Sequence, residues 1–114
     1  VIIDGECVSA CTLLINQAVS PRSVCYTENA RFTFHSSFFT IERDSTEEDD
    51  DDVIMKNDKV QVRIMDPVYN RKMLNSFNLG IRKWISSHNA YSAIDTYQTM
   101  GYREAVRLRD MRCK

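Results

Sequence analysis

The sequence predicts an α/β domain whose first third is a βαβ unit with parallel strands and whose last third is helical. Three observations carry that expectation. A β-branched opening, Val1-Ile2-Ile3, stops at the turn-forming pair Asp4-Gly5. A short apolar segment, Ser9 to Gln17, follows with a hydroxyl residue at its head. Two strand-like runs, Val24 to Thr27 and Ala30 to His35, then complete a strand-helix-strand pattern that implies parallel pairing through a right-handed crossover. With 114 residues, 43% apolar content and eleven aromatic side chains (five Phe, five Tyr, one Trp), residues 1–114 suffice for one domain around one core.

The elements follow in order. Val1–Ile3 reads as the end of a buried strand, and Ser9–Gln17 as a helix broken by Pro21 and its polar neighbours. In the second strand of the unit Phe32 and Phe34 share one face, while Arg31, Thr33 and His35 share the other. Residues 42–52 (E-R-D-S-T-E-E-D-D-D-D) contain nothing apolar to bury and read as an exposed acidic loop. Lys59 to Met65 alternates Val60, Val62 and Ile64 with polar residues, the pattern of a half-buried strand. Pro67 suits the first position of a helix that uses Val68, Met73, Leu74 and Phe77, and Ile81, Trp84 and Ile85 form another apolar stripe. Ser92-Ala93-Ile94-Asp95 has the form of a capping box opening a short helix that Gly101 would end. Tyr102 to Arg112 is a basic amphipathic segment.

Net charge is −1, from 15 basic and 16 acidic residues, which argues against a nucleic-acid partner. Half of the acids fall within residues 42–52 with a single Arg, so the remaining chain has a net charge of +6. The acidic loop is expected to be simply solvated; the alternatives are docking on the basic tail (Arg103, Arg107, Arg109, Arg112, Lys114) and weak cation attraction, though the loop lacks the glycine and terminal glutamate of an EF-hand. No apolar run approaches the roughly 18–20 residues of a transmembrane helix, so a soluble protein is expected.

Four cysteines, Cys7, Cys11, Cys25 and Cys113, are many for this length. With only two histidines and no second C-x3-C pair they make a poor zinc pattern, so neither metal nor cofactor is expected. Two disulfides in an exported, periplasmic or secreted protein explain them better, with Cys113 as a staple for the tail; the sequence leaves three pairings open. Export presumes a signal peptide already removed, since no such segment opens the sequence. Cys11, in the first turn of the Ser9 helix, is the one thiol placed for reactivity if it is not bridged.

Ser9 lies where a strand turns into a helix. That position exposes a hydroxyl and aims the unpaired N–H groups of the helix start, Ala10 foremost, at an approaching oxyanion. His35 ends the neighbouring strand at the same sheet edge and could serve as its base. A serine in this place can equally be a helix N-cap.

The run G-E-C-V-S-A-C-T-L-L-I-N, with R-S-V-C-Y-T-E-N-A-R-F-T-F-H-S after it, resembles the nucleophile-to-histidine segment of the Clp protease proteolytic subunit. It is more closely similar to small exported alphaproteobacterial proteins of reduced Clp/crotonase-like fold, with the shared patterns at residues 5–13, 24–35, 81–85 and Cys113. The resemblance implies a reduced Clp/crotonase-like unit with Ser9 as nucleophile, His35 as base and Ala10 as oxyanion donor. It places the third catalytic group near 94–99, where Asp95 is the only carboxylate. It also implies an upstream strand, which would supply the other half of the oxyanion hole; without it an exposed sheet edge invites homo-oligomerisation. Two functions are therefore expected in competition. One is an exported serine hydrolase or peptidase acting on a peptide or acyl substrate. The other is a catalytically inactive binding module on the same scaffold.

Overall fold

A computed structural model of the chain describes residues 1–44, 59–93 and 95–114. Strands β1 (Ile2–Ile3) and β2 (Glu6–Val8) are separated by the Asp4-Gly5 turn. A seven-residue 3-10 helix, Ser9–Ile15, follows directly. Strands β3 (Cys25–Tyr26) and β4 (Arg31–Phe34) return parallel to the first two, β1 against β3 and β2 against β4. The parallel βαβ-type pairing expected from the sequence is therefore present, with a 3-10 helix in place of a longer α-helix. The helix ends at Ile15, where the Asn16 side-chain amide and backbone N–H both donate to the Leu13 carbonyl.

Strand β3 lies between β1 and the C-terminal tail. Its Cys25 and Thr27 N–H groups donate to the Val1 and Ile3 carbonyls, while the Tyr26 N–H turns the other way to the Met111 carbonyl. The alternation of N–H directions along an extended strand makes this two-sided pairing available. A parallel bridge joins Tyr26 to Arg112, and Cys113 N–H donates back to Tyr26.

Strand β7 (Gln98–Met100) pairs antiparallel with β4, giving the order β2-β4-β7 and making this sheet mixed. This corrects the helix expected from Ser92. The Ser92 hydroxyl donates back to the Asn89 carbonyl instead of capping forward, and Gln98–Met100 fills the free edge of β4. Gly101 accordingly precedes a helix, α3 (Tyr102–Leu108), as its N-cap residue.

A second correction concerns residues 42–52. Glu42–Asp44 belong to β5 (Phe38–Asp44), which pairs antiparallel with β6 (Lys59–Met65) through seven residue pairs; the rest of that segment lies outside the described residues. This ribbon forms a sheet of its own, and Phe39, Ile41 and Ile64 on one of its faces are exposed.

Helix α1 (Pro67–Ser76) begins with Pro67 at its first turn and the Asp66 carboxylate accepting from Tyr69 N–H. Helix α2 (Leu79–Ser87) begins with Asn78 accepting from Ile81 N–H and buries Ile81, Trp84 and Ile85. The core gathers these with Phe32, Phe34, Phe77, Tyr26 and Met100. Phe34 meets Phe77 edge-on at 5.6 Å and Trp84 at 5.6 Å, and Tyr26 meets Phe32 edge-on at 5.3 Å. No helix among the described residues is long and apolar enough to cross a membrane.

Candidate functional site

The two disulfides resolve the open pairings as Cys7–Cys11 and Cys25–Cys113. The first links the middle of β2 to the first turn of the 3-10 helix, across Ser9, and so removes Cys11 as a reactive thiol. The second ties the tail to β3.

Ser9 leaves β2 at φ 59°, in the left-handed region. A serine pays about 1–2 kcal/mol for that conformation and holds it only where its surroundings over-determine it. They do so here. The Cys7–Cys11 bridge closes around the turn, and the buried Thr12 hydroxyl donates to the Ser9 carbonyl at 2.6 Å. The cap position of this helix is Val8, with no side-chain cap, so Ser9 is not the N-cap that its place before a helix suggests.

The register sets where His35 stands. Val8 pairs with Thr33, so Ser9 is one residue past its strand end and His35 two residues past the paired Thr33. Both emerge at the C-terminal edge of adjacent parallel strands, and both are half-buried. His35 Nδ1 lies 2.9 Å from the Ser36 carbonyl. Because a carbonyl can only accept, this contact calls for a proton on Nδ1, which in a neutral ring leaves the lone pair on Nε2. The His35 ring packs on Tyr97 with centroids 4.6 Å apart. Among the described residues no hydrogen bond links Ser9 Oγ with His35; such contacts often close only when substrate is bound.

Ala10 is exposed at the start of the 3-10 helix, where the first N–H groups have no intrahelical acceptor. Asp95 is exposed, and its Oδ1 meets Arg63 Nη2 of β6 at 3.2 Å. The structure thus brings Ser9, Ala10 and His35 to one edge and engages Asp95 with the ribbon, while a backbone carbonyl faces His35 Nδ1.

Three further residues belong to this edge. Ser36 is fully buried, and its hydroxyl donates to the Ala93 carbonyl at 2.8 Å. Asn70 of α1 is buried and accepts from Ser37 N–H at 2.6 Å. Tyr97 covers His35. The sequence held one signal for Asn70: it precedes Met73, Leu74 and Phe77 at helical spacing, a polar residue on an apolar stripe. Tyr97 and Ser36 had none.

Elsewhere, a cleft of about 1080 Å³ runs along the Cys25–Cys113 bridge between Tyr26, Tyr102, Met111 and Arg112, and includes none of Ser9, Ala10, His35 or Asp95. Three of the tail arginines find partners among the described residues, Arg107 on Glu104 and Arg112 on Asp110 nearby in sequence, and Arg109 on the distant Val19 carbonyl. Among the described residues no group of three or more His, Cys, Asp or Glu side chains is gathered to hold a metal. Comparison of the chain with protein-family models, with curated proteins and with solved structures finds no match.

Proposed function

We propose that this chain is a reduced Clp/crotonase-like unit acting as a serine hydrolase on an acyl or peptide carbonyl. The observation that supports this most is the φ of 59° at Ser9, a strained serine that is not the N-cap, following a strand parallel and adjacent to the one that His35 follows. Ser9 Oγ attacks the carbonyl carbon as its proton passes to His35 Nε2. The oxygen takes up the negative charge against the Ala10 N–H. His35 then returns the proton to the leaving group, and water repeats the sequence on the acyl-enzyme. The Ser36 carbonyl takes the orienting place that a carboxylate holds in a triad. The two disulfides support an oxidising compartment, periplasmic or extracellular, as the site of action.

A fluorophosphonate probe tests this reading. Wild type is expected to be labelled on Ser9 and Ser9→Ala to be spared, with His35→Gln slowing labelling roughly 10²–10⁴-fold. Absence of labelling in wild type from pH 6 to 9 would refute it. A second reading, a non-catalytic interaction module, draws on the β5–β6 ribbon, whose exposed Phe39, Ile41 and Ile64 offer an apolar face to a partner.

A further inference from the structure

We infer that Asn70 is a positioning residue for His35, acting through the single peptide group that joins Ser36 to Ser37. The two ends of that group are engaged by different side chains. Its carbonyl faces His35 Nδ1 at 2.9 Å, and its N–H donates to Asn70 Oδ1 at 2.6 Å. A donor on the carbonyl and an acceptor on the N–H of one amide polarise it in the same sense, so each hydrogen bond strengthens the other. The path runs from His35 Nδ1–H to the Ser36 oxygen, across the amide, and from Ser37 N–H to Asn70.

The surroundings hold that peptide in place. The Ser37 carbonyl accepts from Asp66 N–H at 3.0 Å, and the Ser36 hydroxyl is fixed on Ala93. Asn70 is 7% exposed and sits one turn into α1, with its own N–H bonded to the Asp66 carbonyl. Its orientation follows from its partner: turning the amide over would set Nδ2 against the Ser37 N–H, donor against donor. In the orientation it has, Nδ2 is buried with no hydrogen-bond partner among the described residues. A buried unpaired donor is a destabilising feature, and a leucine of similar volume would avoid it. The acceptor at Oδ1 is what asparagine supplies here and leucine does not.

This assignment rests on the serine-hydrolase reading only for its use in catalysis; the tautomer it sets is a property of the folded chain itself. Nitrogen-15 NMR of the His35 ring at a pH where it is neutral is the test. Wild type is expected to carry the proton on Nδ1, against the Nε2–H form that free imidazole side chains prefer. Asn70→Asp, which keeps the acceptor, is expected to retain the Nδ1–H form. Asn70→Leu is expected to lower the Nδ1–H to Nε2–H ratio by roughly 1.2- to twofold, the cooperative share of about one hydrogen bond. Should Asn70→Leu fail to fold, Asn70→Ala, which has no side-chain acceptor for Ser37 N–H, takes its place with the same readings. A wild-type Nε2–H ring, or a folded acceptor-less variant with the wild-type ratio, overturns the assignment. Fluorophosphonate labelling of Ser9 in the same samples separates the two ideas. Labelling with an unmoved tautomer rejects the role of Asn70 alone, and a moved tautomer without labelling rejects the hydrolase alone.

Discussion

Removing the Cys25–Cys113 bridge should cost this domain much of its stability, and considerably more than removing Cys7–Cys11. The bridge closes a loop with a sequence separation of 88, against 4 for the other. Loop-closure entropy at those lengths corresponds to about 4.6 kcal/mol for the long loop and about 2 kcal/mol for the short one. A domain of this size has roughly 6–17 kcal/mol in total, so loss of the long bridge removes a quarter to most of it. The tail has other attachments that partly hold it after the bridge is gone. Met111 is buried, Tyr26 N–H and Cys113 N–H bond across to the tail, and the Tyr26 hydroxyl donates to the Arg109 carbonyl at 2.5 Å. These act in the native state, whereas the bridge acts mainly on the unfolded chain, so they do not replace it. Urea unfolding followed by circular dichroism should show the midpoint of Cys25→Ala/Cys113→Ala falling by about 2–3 M, and that of Cys7→Ala/Cys11→Ala by about 1 M. A loss below about 1 kcal/mol for the long bridge, or a larger loss for the short one, would refute the reasoning.

Other expectations follow from the same geometry. Ser9→Gly should leave the protein as stable as wild type or about 0.5–1 kcal/mol more so, because glycine adopts φ 59° without strain; a loss above 1 kcal/mol by chemical denaturation would argue against that strain. Phe34→Ala should cost about 3–5 kcal/mol in the same assay, since its ring is fully buried between Phe77 and Trp84. Burial raises the Tyr26 hydroxyl to about 12, above the ordinary value of 10.0, and raises Tyr91 as well. A raised tyrosine contributes stability that is fully present below pH 10 and is lost as pH rises through 12, so unfolding midpoints should fall across that window and less steeply in Tyr26→Phe. Arg63→Ala should change stability by less than about 1 kcal/mol despite its contacts with Asp95 and the Phe38 ring, because the ion pair is exposed; a double-mutant cycle with Asp95→Ala measures it.

What could be read from the sequence depended on whether each residue's role was local. Lys59–Met65 was legible as a strand, because alternation of Val60, Val62 and Ile64 is itself a strand signature, but not as a half-buried one, since Ile64 is exposed. Its partner was not. Phe38 to Asp44 runs into the acidic stretch without a turn signal, and Glu42–Asp44 are extended because they pair with β6, not through their own preference. The helix expected after Ser92 failed for a related reason: an S-x-x-D pattern is compatible with a cap, yet the hydroxyl found the Asn89 carbonyl behind it. At the candidate site Ser9 and His35 were legible as residue types at strand ends. The left-handed turn at Ser9, the choice of Cys7–Cys11 and the Ser36 carbonyl beside His35 were not, since each depends on backbone geometry that three neighbouring elements impose together.

The Cys25–Cys113 bridge also governs how the molecule would answer to mechanical tension. A pull applied from beyond both cysteines passes through the covalent link and bypasses the segment between them, a contour of about 300 Å that force cannot release. Ser9 lies outside this closed loop and His35 inside it. Tension would therefore peel β1, β2 and the serine away from β3 and β4 while the histidine stays within the locked remainder. The two halves of the proposed site would part while the segment between the two cysteines stays closed.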